Sequence, residues 1–175
     1  MKNNNIKALI YLWAIFFPLL LTSQEKQEKE ILVPSIKGSI KIDGLGNEID
    51  WEKSNWTSDF WMWRPSDSIP AKKQTRFKIL RDEQNLYILV ESDINGTNFT
   101  TPNLKRDFET FGSDYLTLLF DTFSDATNAF SFATNPLGIK ADGLISGGNQ
   151  DYRTGRNFAW DTKWNVETSV TDTHY

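Results

Sequence analysis

No cysteine occurs in the 175 residues. That excludes disulfides, thiolate metal sites and cysteine nucleophiles. Histidine is almost as scarce, with His174 standing alone next to the end. A serine–histidine–aspartate triad or a histidine-ligated zinc would have to rest on that one residue. Apart from Met1, the only methionine is Met62. Met62 and His174 are thus the ordinary axial candidates for a haem, and haem chemistry is set aside. Clustered positive charge is missing too. Nineteen Lys and Arg face 23 Asp and Glu, which disfavours nucleic acid and anionic membrane surfaces as partners. What the chain has in quantity is aromatic, with 12 Phe and 7 Trp. Wide side chains of this kind fill the gap between two packed sheets.

Residues 1–23 read as a secretory signal rather than as part of the fold. Lys2 and Lys7 precede a fourteen-residue apolar run, Ala8 to Leu21, and Leu21-Thr22-Ser23 gives way to the charged stretch Gln24 to Glu30. The run is short for a membrane span. The competing reading is an uncleaved anchor, since Pro18 lies inside the run and no A-x-A site follows. Both readings predict export, to the periplasm, the outer membrane or the outside. Loss of residues 1–23 leaves 17 basic against 23 acidic residues, a net charge of −6. Residues 24–33 form a charged spacer, and residues 34–175 are expected to form one domain.

The stretch from Asp114 to Asp142 sets the fold class. Tyr115 to Phe120 carries apolar residues on both parities, as in a strand covered on both sides. Asp121 to Asn128 has turn chemistry. Phe130, Phe132 and Thr134 alternate with Ser131 and Ala133, then Asn135-Pro136-Leu137-Gly138 turns the chain into a third strand, Ile139 to Ile145. This is an antiparallel meander. A hairpin is predicted upstream, with Thr75 to Asp82 as its first strand, Asp82 to Asn85 as the turn and Leu86 to Val90 as the return. Further strands are expected over Ile36–Ile42 and Trp164–Val170, and one helical turn over Glu48–Ser54 that buries Trp51. Two long loops, Asp93–Gly112 and Gly143–Asn157, complete the chain. The expected class is all-β, an antiparallel β-sandwich of immunoglobulin-like or jelly-roll-like kind.

These segments carry a family likeness. Ile42-Asp43-Gly44 followed by Glu48 and Trp51 resembles the I-D-G-x-x-x-E-x-x-W opening of the family 9 carbohydrate-binding modules. Thr75 to Asp93 resembles the hairpin of that family. Asp114-Tyr115, Asp121-Thr122, Phe130 to Gly138 and Asp142 are similar to a Bacteroidetes-type branch. In that branch the module precedes a large C-terminal region of the DUF5916 type. The likeness spans residues 34–172. Gly46-Asn47 departs from the Leu-Asp usual before the Glu. The family normally continues into a further strand after the one at Trp164, so the fold is expected to lack its last strand or strands. The resemblance implies carbohydrate binding without catalysis, calcium as a bound ion, and attachment to an outer-membrane barrel region in a longer protein. Two alternatives are a plug or assembly domain without sugar affinity, and a domain associated with hydrolysis of O-glycosyl compounds.

The candidate ligand residues are Trp61, Trp63, Arg64, Arg153, Asn157, Trp160 and Asp161. Indoles beside loops can stack on a pyranose, and the polar groups can bond its hydroxyls. The resemblance implies a pair of indoles around the sugar, and Trp160 with Trp61 or Trp63 is expected to form one cleft at an end of the sandwich. Trp51 and Trp164 are assigned to the core. Asp43 and Asp121 are the candidate calcium ligands, each also readable as a turn carboxylate. Glu48, Glu109 and Asp114 are the carboxylates a glycosidase pair would draw on. The export reading predicts that mass spectrometry of protein recovered from the cell envelope finds an N-terminus near Gln24. Intact Met1 recovered from the cytosol would contradict it.

Overall fold

The computed structural model describes residues 30–94, 98–108, 110–147 and 156–175. The expected signal segment, most of the spacer, Glu109 and Arg153 lie outside the described residues. Val33–Tyr175 forms one unit. Among the described residues, no helix is long and apolar enough to cross a membrane.

Two open antiparallel sheets make the fold all-β, of the sandwich class. The first sheet is a hairpin, β1 (Thr75–Arg81) paired with β2 (Leu86–Ser92). The second contains β3 (Leu116–Phe120), β4 (Ala129–Thr134), β5 (Lys140–Ile145) and the two-residue β6 (Arg156–Asn157), side by side in chain order. The hairpin turn is fastened by Asp82. Its carboxylate accepts the Gln84 and Asn85 amides at 2.7 and 2.6 Å and the Tyr87 hydroxyl at 2.6 Å. The Tyr87 hydroxyl, followed by the two amides and the Asn85 side chain, holds the Asp82 carboxyl well below the usual range. That bond in turn raises the Tyr87 phenol.

One core lies on the Leu80–Tyr87–Leu89 face of the hairpin. Ile36, Ile40, Trp51, Leu80 and Tyr87 are buried together there, with Leu89 against them. Trp51 arrives on a 3₁₀ turn, Ile49–Lys53. Its indole Nε1 donates to Glu48 Oε2 at 3.1 Å, so the acid three residues back satisfies the one polar atom of a buried ring. Two glycines let the chain reach this point. Gly44 and Gly46 have φ of +76° and +60°. A Cβ at Gly44 would lie 2.8 Å from the Thr168 carbonyl carbon, and one at Gly46 2.6 Å from Leu89 Cδ1. Any side chain would have to displace one or the other.

A second core holds Phe108, Ala133 and Ala141, with Tyr115 and Ile139 against it. Small residues on this face of β4 and β5 let the Phe108 ring settle onto the sheet. The opposite face is aromatic. Phe132 meets the rings of Phe120, Trp160 and Trp164 at 5.6, 6.0 and 5.4 Å, and Phe130 meets Trp160 at 5.1 Å.

Two expected strands take another form. Over Ile36–Ile42 the chain bends at Lys37–Gly38. Ile36 and Ile40, four apart, are buried while Ile42 is exposed. Gly38 offers nothing to pack, so the period of two fails there. Only Ser35, in a parallel bridge to Arg81, pairs with the sheet. Trp164–Val170 keeps the predicted alternation, with Trp164, Val166 and Thr168 half-buried between exposed Asn165 and Glu167. Among the described residues, however, it joins no ladder. Side-chain bonds hold it instead: Lys140 Nζ to the Trp164 carbonyl and Thr168 Oγ1 to the Pro136 carbonyl, both at 3.0 Å.

Trp51→Ala should cost about 3–5 kcal/mol of stability, as large core truncations do. Urea denaturation measures it, and a loss below about 1 kcal/mol would contradict the assignment of Trp51 to the core.

Candidate ligand-binding site

The 60–71 segment folds back on itself as a small arm. Met62 N–H donates to the Ile69 carbonyl and Ala71 N–H to the Phe60 carbonyl, both at 2.9 Å. Trp61 stands opposite Pro70. Trp61 and Trp63 are both exposed, while Met62 between them is half-buried. The two indoles are 56% and 70% exposed. The arm is anchored at its base. The Phe60 ring meets Phe77 of β1 edge-on at 6.0 Å. Gln74 Nε2 donates to the Ala71 carbonyl at 2.6 Å. Thr57 and Phe77 exchange backbone bonds at 2.9 Å. The tip carries a cis peptide between Arg64 and Pro65, and Arg64 is exposed there.

A depression of about 750 Å³ opens beside the arm. Phe60, Trp61 and Pro70 supply its apolar wall, and Asp59, Arg76, Glu91, Asp93 and His174 its charged and polar one. Arg76 and Glu91 face each other across the hairpin. Arg76 Nε donates to Glu91 Oε2 at 2.7 Å, and Nη2 joins the same oxygen. The guanidinium also lies 4.4 Å from the centre of the Trp56 ring, which Lys78 approaches to 4.9 Å. Trp56 is therefore occupied by two cations. Asp93 Oδ2 accepts the Gln74 amide at 3.2 Å. Asp59 has no hydrogen-bond or ion-pair partner among the described residues. His174 enters because the last residues run beside the end of β2, where Ser92 and Tyr175 exchange backbone bonds at 2.8 and 3.1 Å.

The other expected ligand residues lie elsewhere. Trp160 packs on Phe130 and Phe132. Asn157 belongs to β6, and its side chain accepts the Ala159 amide at 2.9 Å. Asp161 pairs with Arg106 at a second depression, of about 490 Å³, lined also by Lys140, Thr162, Lys163 and Trp164. Trp61 and Asp161 thus line two different depressions, and Trp160 lines neither. Three residues of the second lining, Arg106, Thr162 and Trp164, share a partner in Asp142, only 1% exposed at its side chain. It accepts Arg106 Nη2 at 2.6 Å, Trp164 Nε1 at 3.2 Å and the Thr162 amide at 2.9 Å.

The candidate calcium residues are engaged in their own turns. Asp43 accepts the Leu45 amide at 3.0 Å and pairs with Lys41 at 3.0 Å. The Lys41 hydrogen bond, with the amide behind it, holds its carboxyl below the ordinary value. Asp121 accepts the amides of Phe123, Asp125 and Ala126. A hard cation needs six or more oxygens. Among the described residues, no group of three or more acidic or imidazole side chains gathers to offer them. Glu48 is bonded to Trp51, and Asp114 Oδ2 accepts the Thr100 amide at 2.7 Å.

Phe60, Gln74, Arg76, Glu91, Asp93 and His174 are lining residues that the sequence reading missed. The Arg76–Glu91 pair had a signal, since the hairpin register places them opposite. His174 had none, as its place depends on the fold of the whole chain. No protein-family model, curated protein or solved structure matches this chain.

Asp142→Ala should cost about 2–3 kcal/mol, because three donors lose a buried charged acceptor. Asp161→Ala, at a carboxylate 74% exposed, should stay within about 1 kcal/mol. Equal losses in chemical denaturation would contradict the structural role given to Asp142.

Proposed function

We propose that this chain is an exported, non-catalytic carbohydrate-binding module whose sugar lies against Trp61 in the depression beside the 60–71 arm. The observation that carries the reading is the pair of exposed indoles on the arm, one of which, Trp61, lines a recess together with charged and polar side chains. The other described indoles have structural partners: Glu48 for Trp51, two cations for Trp56, Phe130 and Phe132 for Trp160, Asp142 for Trp164. Trp61 and Trp63 leave large apolar faces in water, which is a cost unless a ligand covers them. A pyranose suits them, since its C–H face can lie on an indole while its hydroxyls reach Asp59, Arg76 or Asp93. The likeness of the 42–51 segment and the hairpin to family 9 modules supports the same ligand class, and the 1–23 pattern supports export.

A glycan array identifies the ligand, and calorimetry with that glycan tests the site. Trp61→Ala should weaken binding by about tenfold or somewhat less, as the loss of roughly 1 kcal/mol of stacking implies, with the thermal transition kept. Unchanged affinity would place the site elsewhere, and an array without a binder would contradict the reading.

A further inference from the structure

We infer that the Trp61 depression selects amino sugars, glycans bearing protonated amines, over neutral and acidic ones. This rests on the carbohydrate-binding reading of the same depression. Its lining includes three carboxylates, Asp59, Glu91 and Asp93, against one guanidinium, Arg76, and the imidazole of His174. Arg76 is consumed internally, by Glu91 on one side and by the Trp56 ring on the other. Asp59 and Asp93 remain. Asp93 spends Oδ2 on the Gln74 amide, while its Oδ1 and both oxygens of Asp59 have no partner among the described residues. Lys72 and Lys73 precede Gln74 in the chain but do not line the depression.

Uncommitted carboxylates beside an exposed indole make a site for an ammonium. The carboxylate supplies charge, and the ring face attracts a cation through its quadrupole. A neutral pyranose would stack on Trp61 and leave Asp59 and Asp93 with water. A uronate or sulfate would meet two like charges, while the lining guanidinium, Arg76, is already paired with Glu91, which is discrimination by repulsion. The net charge of −6 for residues 24–175 acts in the same direction at longer range.

The test compares three probes on the 175-residue protein by calorimetry at pH 7. They are a glucosamine tetrasaccharide, its N-acetylated counterpart and a galacturonic acid tetrasaccharide. The glucosamine amines, which like α-amino groups titrate not far from this pH, leave the tetramer partly cationic. The glucosamine tetramer should bind about fivefold tighter than the acetylated one at low salt, the scale of one or two exposed ion pairs. The advantage should fade in 1 M sodium chloride, where screening shortens to about 3 Å. Asp59→Asn with Asp93→Asn should bring the glucosamine tetramer down toward the acetylated one, and the galacturonic tetramer should bind weakest. Equal affinities of the first two probes, or a preference for the uronate, would overturn the selectivity and leave the carbohydrate reading standing. Failure of all three to bind would overturn the selectivity, and the glycan array would then decide the carbohydrate reading.

Discussion

The carboxylate of Asp142 is the interaction on which the second sheet and its surroundings depend. It sits on β5, buried, with an oxygen toward Arg106 and Trp164 and the other toward the Thr162 amide. Taking a carboxylate out of water costs several kcal/mol unless charge-assisted donors replace the lost hydration. Here the donors come from two directions. Arg106 belongs to the long connection between the sheets, and Thr162 and Trp164 belong to the last stretch of chain. A single buried charge therefore ties both segments to one strand. The Phe132 ring, the β4 neighbour of Asp142, then receives Trp160 and Trp164. The aromatic layer is a consequence of where the carboxylate holds the chain.

That arrangement also decides what is left for a ligand. An indole whose N–H is bonded and whose ring is packed is part of the fold. Trp164 is held by Asp142, Trp51 by Glu48, and Trp56 lies under two cations. The motif Ile42-Asp43-Gly44…Glu48…Trp51 has the same structural logic. Asp43 fastens the turn by accepting the Leu45 amide, Gly44 allows contact with Thr168, and Glu48 satisfies the indole it accompanies. The arm carries the indoles left over: its backbone bonds and the Phe60 ring fix the segment, while Trp61 and Trp63 remain uncovered.

Much of the fold was legible in the sequence because its signals are local. The Thr75–Asp93 hairpin follows from alternation and a polar turn, and the strands after Asp114 follow from turns whose residues, Asp121 and Asn135, accept backbone amides nearby. Trp51 on its helical turn was legible for the same reason. The Ile36–Ile42 strand was not, because Gly38 interrupts a pattern that hydrophobicity alone reads as continuous. Trp164–Val170 has the alternation of a strand without its ladder, since alternation reports which face is covered and says nothing of backbone partners. The site was half legible. Exposed tryptophans beside prolines mark the arm, but the grouping of Trp61 with Asp93 and His174, rather than with Trp160, depends on distances between remote segments.

The central claim divides the indoles into those that build the fold and those that meet a sugar. Nuclear magnetic resonance tests it directly, because each indole N–H is its own reporter. Titration with a glycan that binds should move the Nε1–H signals of Trp61 and Trp63 and leave those of Trp51 and Trp164 in place. Shifts confined to Trp160 and Trp164, with Trp61 unmoved, would contradict the account.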